Sequence, residues 1–141
     1  MNIRLPSIKI TYTGDPVRVD PDLITDEMFV PNLGFTDPRH ADDRPGEVAA
    51  RLFIAAEGTG ALVIPEGLAL DCYGDDDDDG GGFMLVAYPR GERGAGVTCG
   101  WRDVRNIVRL EDDTREDNHP EVVKHALCFM AAEINAALKG E

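Results

Sequence analysis

Basic residues, serine and cysteine are all scarce in this chain, and it has no long apolar run. Only 14 Lys and Arg face 27 Asp and Glu, which leaves a formal net charge of −13. A field of this sign repels nucleic-acid phosphates and anionic membrane surfaces, so we expect no direct binding of DNA or RNA. No run approaches the ~20 apolar residues of a membrane span, which argues against an integral membrane protein, and together with the charge this predicts no membrane association. No charged-then-apolar leader opens the sequence, so it gives no hint of secretion.

The scarce residue types also argue against several kinds of active site. Ser7 is the only serine, so the G-x-S-x-G motif of the α/β-hydrolases is impossible. The three cysteines, Cys72, Cys99 and Cys128, form no C-x-x-C pair, which argues against a zinc ribbon or a dithiol redox site. Each lies among apolar residues or glycines, so we expect reduced, buried thiols; a disulfide between two of them is the alternative.

What the sequence does contain is enough apolar material for a core. It has 141 residues, of which 43% are hydrophobic, and this is the size of one ordinary domain. We therefore predict a single domain over 1–141, made of an N-terminal strand and extended arm (1–44) and an α+β body (45–141).

The excess of Arg over Lys and of Asp over Glu indicates a high-GC genome or a salt-adapted proteome.

The first 44 residues predict a strand followed by an ordered arm. Apolar and polar residues alternate over residues 5–12, which is the pattern of a half-buried strand, and turn residues follow at 14–16. From there to Pro45 the chain is rich in Pro and Asp, yet it also carries nine large apolar residues, more than a disordered linker usually has. We predict that this arm docks on the body or on a neighbouring subunit. Its expected partner-binding anchors are Met28, Phe29, Val30, Leu33 and Phe35.

Two helices are predicted in the body. The first covers residues 44–57, where apolar residues recur at helical spacing, and Gly58 suits the left-handed position after its end. The second is a C-terminal helix of some 20 residues with a continuous apolar stripe. Asn118 with Glu121 resembles a capping box at its start, and Gly140 is a natural stop.

Short apolar runs between the two helices predict a small sheet. Residues 102–110 fit both a helix and a strand, and we favour a strand. The fold class is therefore predicted as α+β, with a small, mostly antiparallel sheet or partial barrel, a long C-terminal helix and a Pro/Asp-rich N-terminal arm. The other predicted strands are 61–64, 68–73, 83–88 and 97–101.

An acidic loop between two of these strands resembles half of a calcium site. Asp75, Asp77 and Asp79, with the glycine that follows, match the opening D-x-D-x-D-G of an EF-hand loop. The ninth and twelfth positions are Phe83 and Val86, where oxygen ligands are needed. We therefore predict a solvated hairpin loop that binds Ca²⁺ no more tightly than millimolar, and we assign no metal site.

The only locally basic stretch is 90–109, which holds five arginines and two acidic residues. Its first part is rich in glycine, but it lacks the P-loop pattern and joins two predicted strands, which argues against a phosphate site. We predict instead that this stretch meets an acidic surface on a partner or on another copy of the chain. The arginines expected to contact that surface are Arg90, Arg93, Arg102 and Arg105.

No catalytic motif accompanies these features, so we predict a protein that is not an enzyme and uses no cofactor. His119 and His125, for example, are six residues apart and cannot form an H-x-x-x-H metal pair on a helix. The leading hypothesis is a protein-interaction or assembly protein with a protein partner or a homo-oligomeric state. Its small size and apolar arm suit a connector or other structural component of a phage or mobile element, located in the cytoplasm or in a virion.

Two alternatives belong to other functional classes. The first is an acidic inhibitor of a nucleic-acid enzyme, whose carboxylates would mimic phosphates. Mimicry needs carboxylates at regular spacing on rigid elements, whereas here they crowd into predicted loops, and this weakens the hypothesis. The second is a small-molecule-binding protein, which requires a pocket that the sequence does not reveal.

Overall fold

The computed structural model describes residues 12–25, 28, 45–74, 82–92, 96–111 and 114–139. Its strands form antiparallel sheets of two and three strands, and a long helix covers the C-terminal part, so the predicted α+β class is confirmed. Of the predicted first strand, residues 5–11 lie outside the described residues. The elements, in chain order, are β1 (Arg18–Val19), a 3-10 turn (Pro21–Leu23), α1 (Pro45–Thr59), β2 (Leu62–Val63), β3 (Leu68–Gly74), β4 (Phe83–Pro89), β5 (Val97–Gly100), α2 (Trp101–Glu111) and α3 (Pro120–Leu138).

The three-stranded sheet sorts its side chains onto two faces. β3, β4 and β5 pair in sequence order, with Asp71 opposite Val86 and Val86 opposite Thr98. Because successive side chains of a strand point to opposite faces, one face can pack against α1 and α3 while the other faces away from them. The packed face carries the buried residues Leu68, Leu70, Phe83, Leu85, Ala87 and Cys99. The other, which we call the open face, carries Ala69, Asp71, Tyr73, Met84, Val86, Tyr88 and Thr98, all partly or fully exposed.

Residues 102–110, predicted as a strand, are part of helix α2 instead. The chain turns from β5 into this helix without a loop, and the Gly100 N–H donates to Asp103 Oδ2 at 2.8 Å. This bond satisfies a backbone donor at the helix start, as in half of a capping box. Trp101, Val104 and Val108 then share one helical face and are buried, with α2 packed on α3. The strand prediction was wrong because the neighbouring surface is a helix that covers one helical stripe of α2.

Two predicted helix ends are also corrected. α1 continues through Gly58 to Thr59, and the left-handed position is taken by Gly60, with φ of 85°. At the start of α3 the capping residue is His119, whose Nδ1 accepts the Glu121 N–H at 3.1 Å. The physical reason is Pro120, because a residue that precedes proline is driven to extended backbone and so becomes the non-helical cap.

The described part of the arm is tied to the body by polar bonds. The Asn135 side chain on α3 donates from Nδ2 to the Val17 carbonyl and accepts the Val17 N–H at Oδ1, both at 2.9 Å. The Asp20 N–H donates to the Ala61 carbonyl at 2.8 Å. Buried apolar side chains of this segment join the common core: Val17, Ile24 and Met28. The remaining predicted anchors, Phe29, Val30, Leu33 and Phe35, lie outside the described residues.

Candidate functional site

The open face of the three-stranded sheet is the surface on which apolar, aromatic and charged groups converge. Tyr73 keeps 46% of its surface exposed, and Met84, Val86 and Tyr88 are half-buried beside it. These side chains alternate with the core residues of the same two strands, so their direction follows from the strand pairing and not from their hydrophobicity. A face of this composition, which the described helices leave open, is suited to contact with another macromolecule.

A hydrogen-bonded cluster lies in the middle of this face. The phenolic O–H groups of Tyr73 and Tyr88 both donate to Asp71 Oδ2, each at 3.3 Å. Tyr73 is two residues further along β3, whereas Tyr88 lies diagonally across on β4, since its direct partner is Ala69. We call Asp71, Tyr73 and Tyr88 the Asp71 cluster.

The Asp71 cluster has a defined hydrogen-bonding polarity. Each phenol has one proton, and both protons are directed to the same carboxylate oxygen. The lone pairs of the two phenol oxygens and the second carboxylate oxygen remain as acceptors. Within the described part of the chain, no Lys or Arg forms an ion pair with Asp71. The cluster therefore presents acceptors and one negative charge.

A concave surface runs between the arm and α3. This open groove has a volume of about 390 Å³ and is lined mainly by apolar atoms. One of its polar side chains, Asn135, already uses both ends of its amide on the Val17 backbone. A small-molecule-binding protein needs a few polar groups that converge on the ligand, and the other polar side chains of this lining are Arg18, Asp20 and Cys128. Its residues are Val17, Arg18, Val19, Asp20, Pro21, Cys128, Ala131, Ala132 and Asn135.

The three cysteines are free thiols, and only Cys99 is fully buried. Burial raises the pKa of Cys72 to about 12. Burial, together with the Asp103 and Glu133 carboxylates, raises the pKa of Cys99 to about 11. The pKa of Cys128 is also raised, chiefly by burial. Because the thiolate is the nucleophilic form, these protonated thiols are poorly placed for nucleophilic chemistry near neutral pH.

The metal prediction concerns residues that the structure does not describe. Asp75, Asp77 and Asp79 all lie outside the described residues. Among the residues that are described, no group of three His, Cys, Asp or Glu side chains is placed to hold a metal ion.

The predicted basic stretch is divided between two parts of the molecule. Arg90 follows β4 at the end of the sheet where Leu68 pairs with Pro89, whereas α2 starts beside Met84 at the other end. Six residues of extended strand, roughly 20 Å, separate these two ends. Arg90 and Arg102 are exposed, and Arg93 lies outside the described residues.

Two arginines of α2 are joined to the segment before α3. The guanidinium groups of Arg105 and Arg109 both lie 3.3 Å from carboxylate oxygens of Asp117. Arg109 also donates to the Arg115 carbonyl. The Arg105 side chain is half-exposed, and its contact with a partner stays a prediction. Its ion pair with Asp117 connects α2 to the loop that leads into α3.

Sequence reasoning missed the Asp71 cluster although part of its signal is visible. On β3, Ala69, Asp71 and Tyr73 alternate with core residues, and this period of two assigns them to one face. The position of Tyr88 relative to Asp71 depends on the pairing register across the β3–β4 hairpin. The strand patterns alone do not give that register, because residues 83–88 are apolar on both faces of β4 and a shift of two residues would keep the faces but move Tyr88 away from Asp71.

None of the helices among the described residues is both long and apolar enough to cross a membrane. Comparison with protein-family models, with curated proteins and with solved structures finds no match to this chain.

Proposed function

We propose that this chain is a non-catalytic protein-interaction or assembly protein that binds its partner through the open face of the three-stranded sheet. The observation that carries the proposal is the composition of that face, where Tyr73, Tyr88, Met84 and Val86 surround one carboxylate. Tyrosine and methionine are enriched in protein interfaces, because each contributes a large contact area and a tyrosine also offers a polar end.

The packing behind this face supports a role in binding. The opposite side of the same strands is buried against α1 and α3, with Phe83 stacked on Trp101 at a ring-centroid distance of 5.9 Å. A sheet held in this way presents its outer side chains in a fixed arrangement, so a partner loses little free energy in ordering them. Apolar contact on the face then adds about 25 cal/mol for each Å² removed from water.

The charge of the whole chain supports a partner of the opposite sign. A formal charge of −13 steers a basic protein toward this molecule and disfavours acidic partners and nucleic acids. The raised thiol pKa values support the non-catalytic part of the proposal, since they disfavour thiolate chemistry. Phosphate mimicry, and an origin in a phage or mobile element, stay predictions.

Site-specific photo-crosslinking tests the proposal. The photoreactive residue p-benzoylphenylalanine is placed at Val86, in the middle of the open face, and in a matched variant at Glu47, which is exposed on α1. Each variant is irradiated in a lysate of the source cells, and the products are identified by mass spectrometry. We expect a defined protein adduct from position 86 and not from position 47. Equal labelling at both positions, together with a strict monomer in light scattering, would contradict the proposal.

A further inference from the structure

We propose that the Asp71 cluster is a binding site for a guanidinium group, namely an arginine side chain presented by a basic protein partner. This inference rests on the proposed function and names the group that the open face recognises. Its basis is the juxtaposition of Asp71 with the hydroxyl groups of Tyr73 and Tyr88, each 3.3 Å from Asp71 Oδ2.

The hydrogen-bonding polarity selects a ligand that only donates. Both phenolic protons are directed inward to Asp71, so the outward lone pairs of the cluster accept and do not donate. A ligand carboxylate, phosphate or carbonyl would find acceptors facing acceptors, with a negative charge at the centre. Arginine and lysine are the side chains that carry donors alone and a positive charge.

The shape of the cluster favours arginine over lysine. Two tyrosine side chains lie beside one carboxylate on the open face, and their neighbours on that face, Met84 and Val86, are apolar. A guanidinium is planar, is weakly hydrated, stacks on aromatic rings and can donate two parallel hydrogen bonds to a carboxylate. A lysine ammonium is a strongly hydrated point charge and would lose more hydration on this partly apolar surface.

Charge complementarity indicates a basic partner and not a second copy of this chain. Two copies would bring net charges of −13 together on a face whose own charged group is a carboxylate. A partner segment that carries arginine brings a positive charge to Asp71, so it is attracted to the face where a second copy of the chain would be repelled. Within the described residues, the ion pairs of the basic side chains join them to Asp117 and Glu121, and not to Asp71.

The tyrosine content of the chain provides a direct test. The chain has only three tyrosines. The third, Tyr12, lies away from the cluster, and its hydroxyl donates a hydrogen bond to the Asp15 carbonyl. The full chain, labelled with ¹³C in its tyrosine rings, is titrated by NMR with the capped tripeptide Gly-Arg-Gly and with the same peptide carrying citrulline, the neutral analogue of arginine. We expect the Tyr73 and Tyr88 resonances to shift with the arginine peptide while Tyr12 stays in place. Binding of the citrulline peptide should be at least about tenfold weaker.

Two matched substitutions test whether the arginine peptide binds at Asp71. Asp71→Asn keeps the size of the side chain and removes its charge, so it should weaken binding of the arginine peptide about tenfold. Glu66→Gln changes an exposed carboxylate in the turn before β3 and should leave binding unchanged. Equal binding of the two peptides to the native chain, or full binding to Asp71→Asn, would overturn the assignment. The comparison of the arginine and citrulline peptides uses the native chain, so it tests the guanidinium site even if a substitution disturbs folding.

The outcomes separate this inference from the proposed function. Crosslinking from position 86 without any preference for arginine would overturn the guanidinium site and leave the interaction function in place. Binding of the arginine peptide without any protein adduct would support the site and contradict the interaction function. Crosslinking of position 86 to the chain itself, with a dimer in sedimentation equilibrium, would replace the basic partner with a second copy and overturn the inference.

Discussion

At the scale of single residues, the Asn135 side chain holds the described part of the arm on the body. Its amide bonds both the N–H and the carbonyl of Val17, so it takes the place that a neighbouring strand would have at this residue. Val17 is only 3% exposed, and its backbone groups would have little access to water without this partner. Nothing in the apolar pattern of α3 marks Asn135 for this role, because the contact joins residues 118 positions apart.

Replacing Asn135 with alanine should therefore loosen the arm. We expect Asn135→Ala to lower the free energy of unfolding by roughly 1–3 kcal/mol, since two backbone groups near the core lose their partner. Urea unfolding followed by circular dichroism measures the change. Asn106→Ala, at an exposed position of α2, is the matched control and should change stability by less than about 0.5 kcal/mol. Equal effects of the two variants would show that the Val17 contact contributes nothing to stability.

The thiols provide a second prediction at this scale. With its pKa raised from 9.0 to about 11, Cys99 has about 100-fold less thiolate at pH 8 than an unperturbed cysteine, so iodoacetamide should modify it at least that much more slowly in the native chain than in concentrated urea. Peptide mapping by mass spectrometry gives the rate at each cysteine. Comparable rates in both conditions would contradict the expectation.

The same pKa difference predicts how stability depends on pH. The folded chain holds the Cys72 and Cys99 protons to higher pH than the unfolded chain does. Stability is therefore unaffected by these groups below about pH 9 and falls as pH rises from there through their folded pKa values. Substitution of both residues by alanine should make the decline between pH 9 and 11 shallower in thermal unfolding.

At the scale of elements, α2 and α3 show why one helix was predictable and the other was not. The apolar stripe of α3 runs over 19 residues, and no strand of that length fits a domain of this size. α2 has 11 residues, and its apolar residues allow two interpretations: Trp101, Val104 and Val108 have helical spacing, whereas Val104, Val108 and Leu110 would share one face of a strand. Packing decides the matter, because α3 covers the helical stripe Trp101, Val104 and Val108. The Asp103 cap and the ion pairs of Asp117 with Arg105 and Arg109 add support.

The cap of α2 can be tested on its own. Asp103→Ala removes the acceptor of the Gly100 N–H and should lower the free energy of unfolding by about 1 kcal/mol. Asp103→Asn keeps an acceptor oxygen and should lose less than half of that amount. Chemical denaturation measures both variants. An alanine variant as stable as the native chain would show that the capping bond contributes nothing to the stability of α2.

At the scale of the whole molecule, the acidic side chains repel one another, and this repulsion comes from the net charge and not from any single contact. A formal charge of −13 opposes folding, because folding brings like charges closer together. Only a few ion pairs among the described residues offset it, and those of Arg105 and Arg109 share one carboxylate. We therefore expect dissolved salt to stabilise the fold by screening this repulsion.

Salt should raise stability measurably at neutral pH. Between 10 and 200 mM NaCl the screening length falls from about 30 Å to less than 10 Å, so repulsion between distant carboxylates is largely removed. We expect a gain of roughly 1 kcal/mol, or ~3–6 °C in the melting temperature of a domain of this size. The gain should shrink at pH 5, close to the pI of about 4.5. A melting temperature independent of salt at pH 7 would contradict this account.

By itself, the sequence determined the fold class, the strands β3, β4 and β5 and the position of α3. The helix follows from a long apolar stripe at helical spacing, and the strands follow from short apolar runs bounded by turn residues. Tertiary structure decided the helical state of α2, the contact of Val17 with Asn135 and the assembly of the Asp71 cluster. All three depend on groups far apart in the chain, since a neighbouring helix, a distant amide and the register of a hairpin select among conformations that the local pattern leaves open.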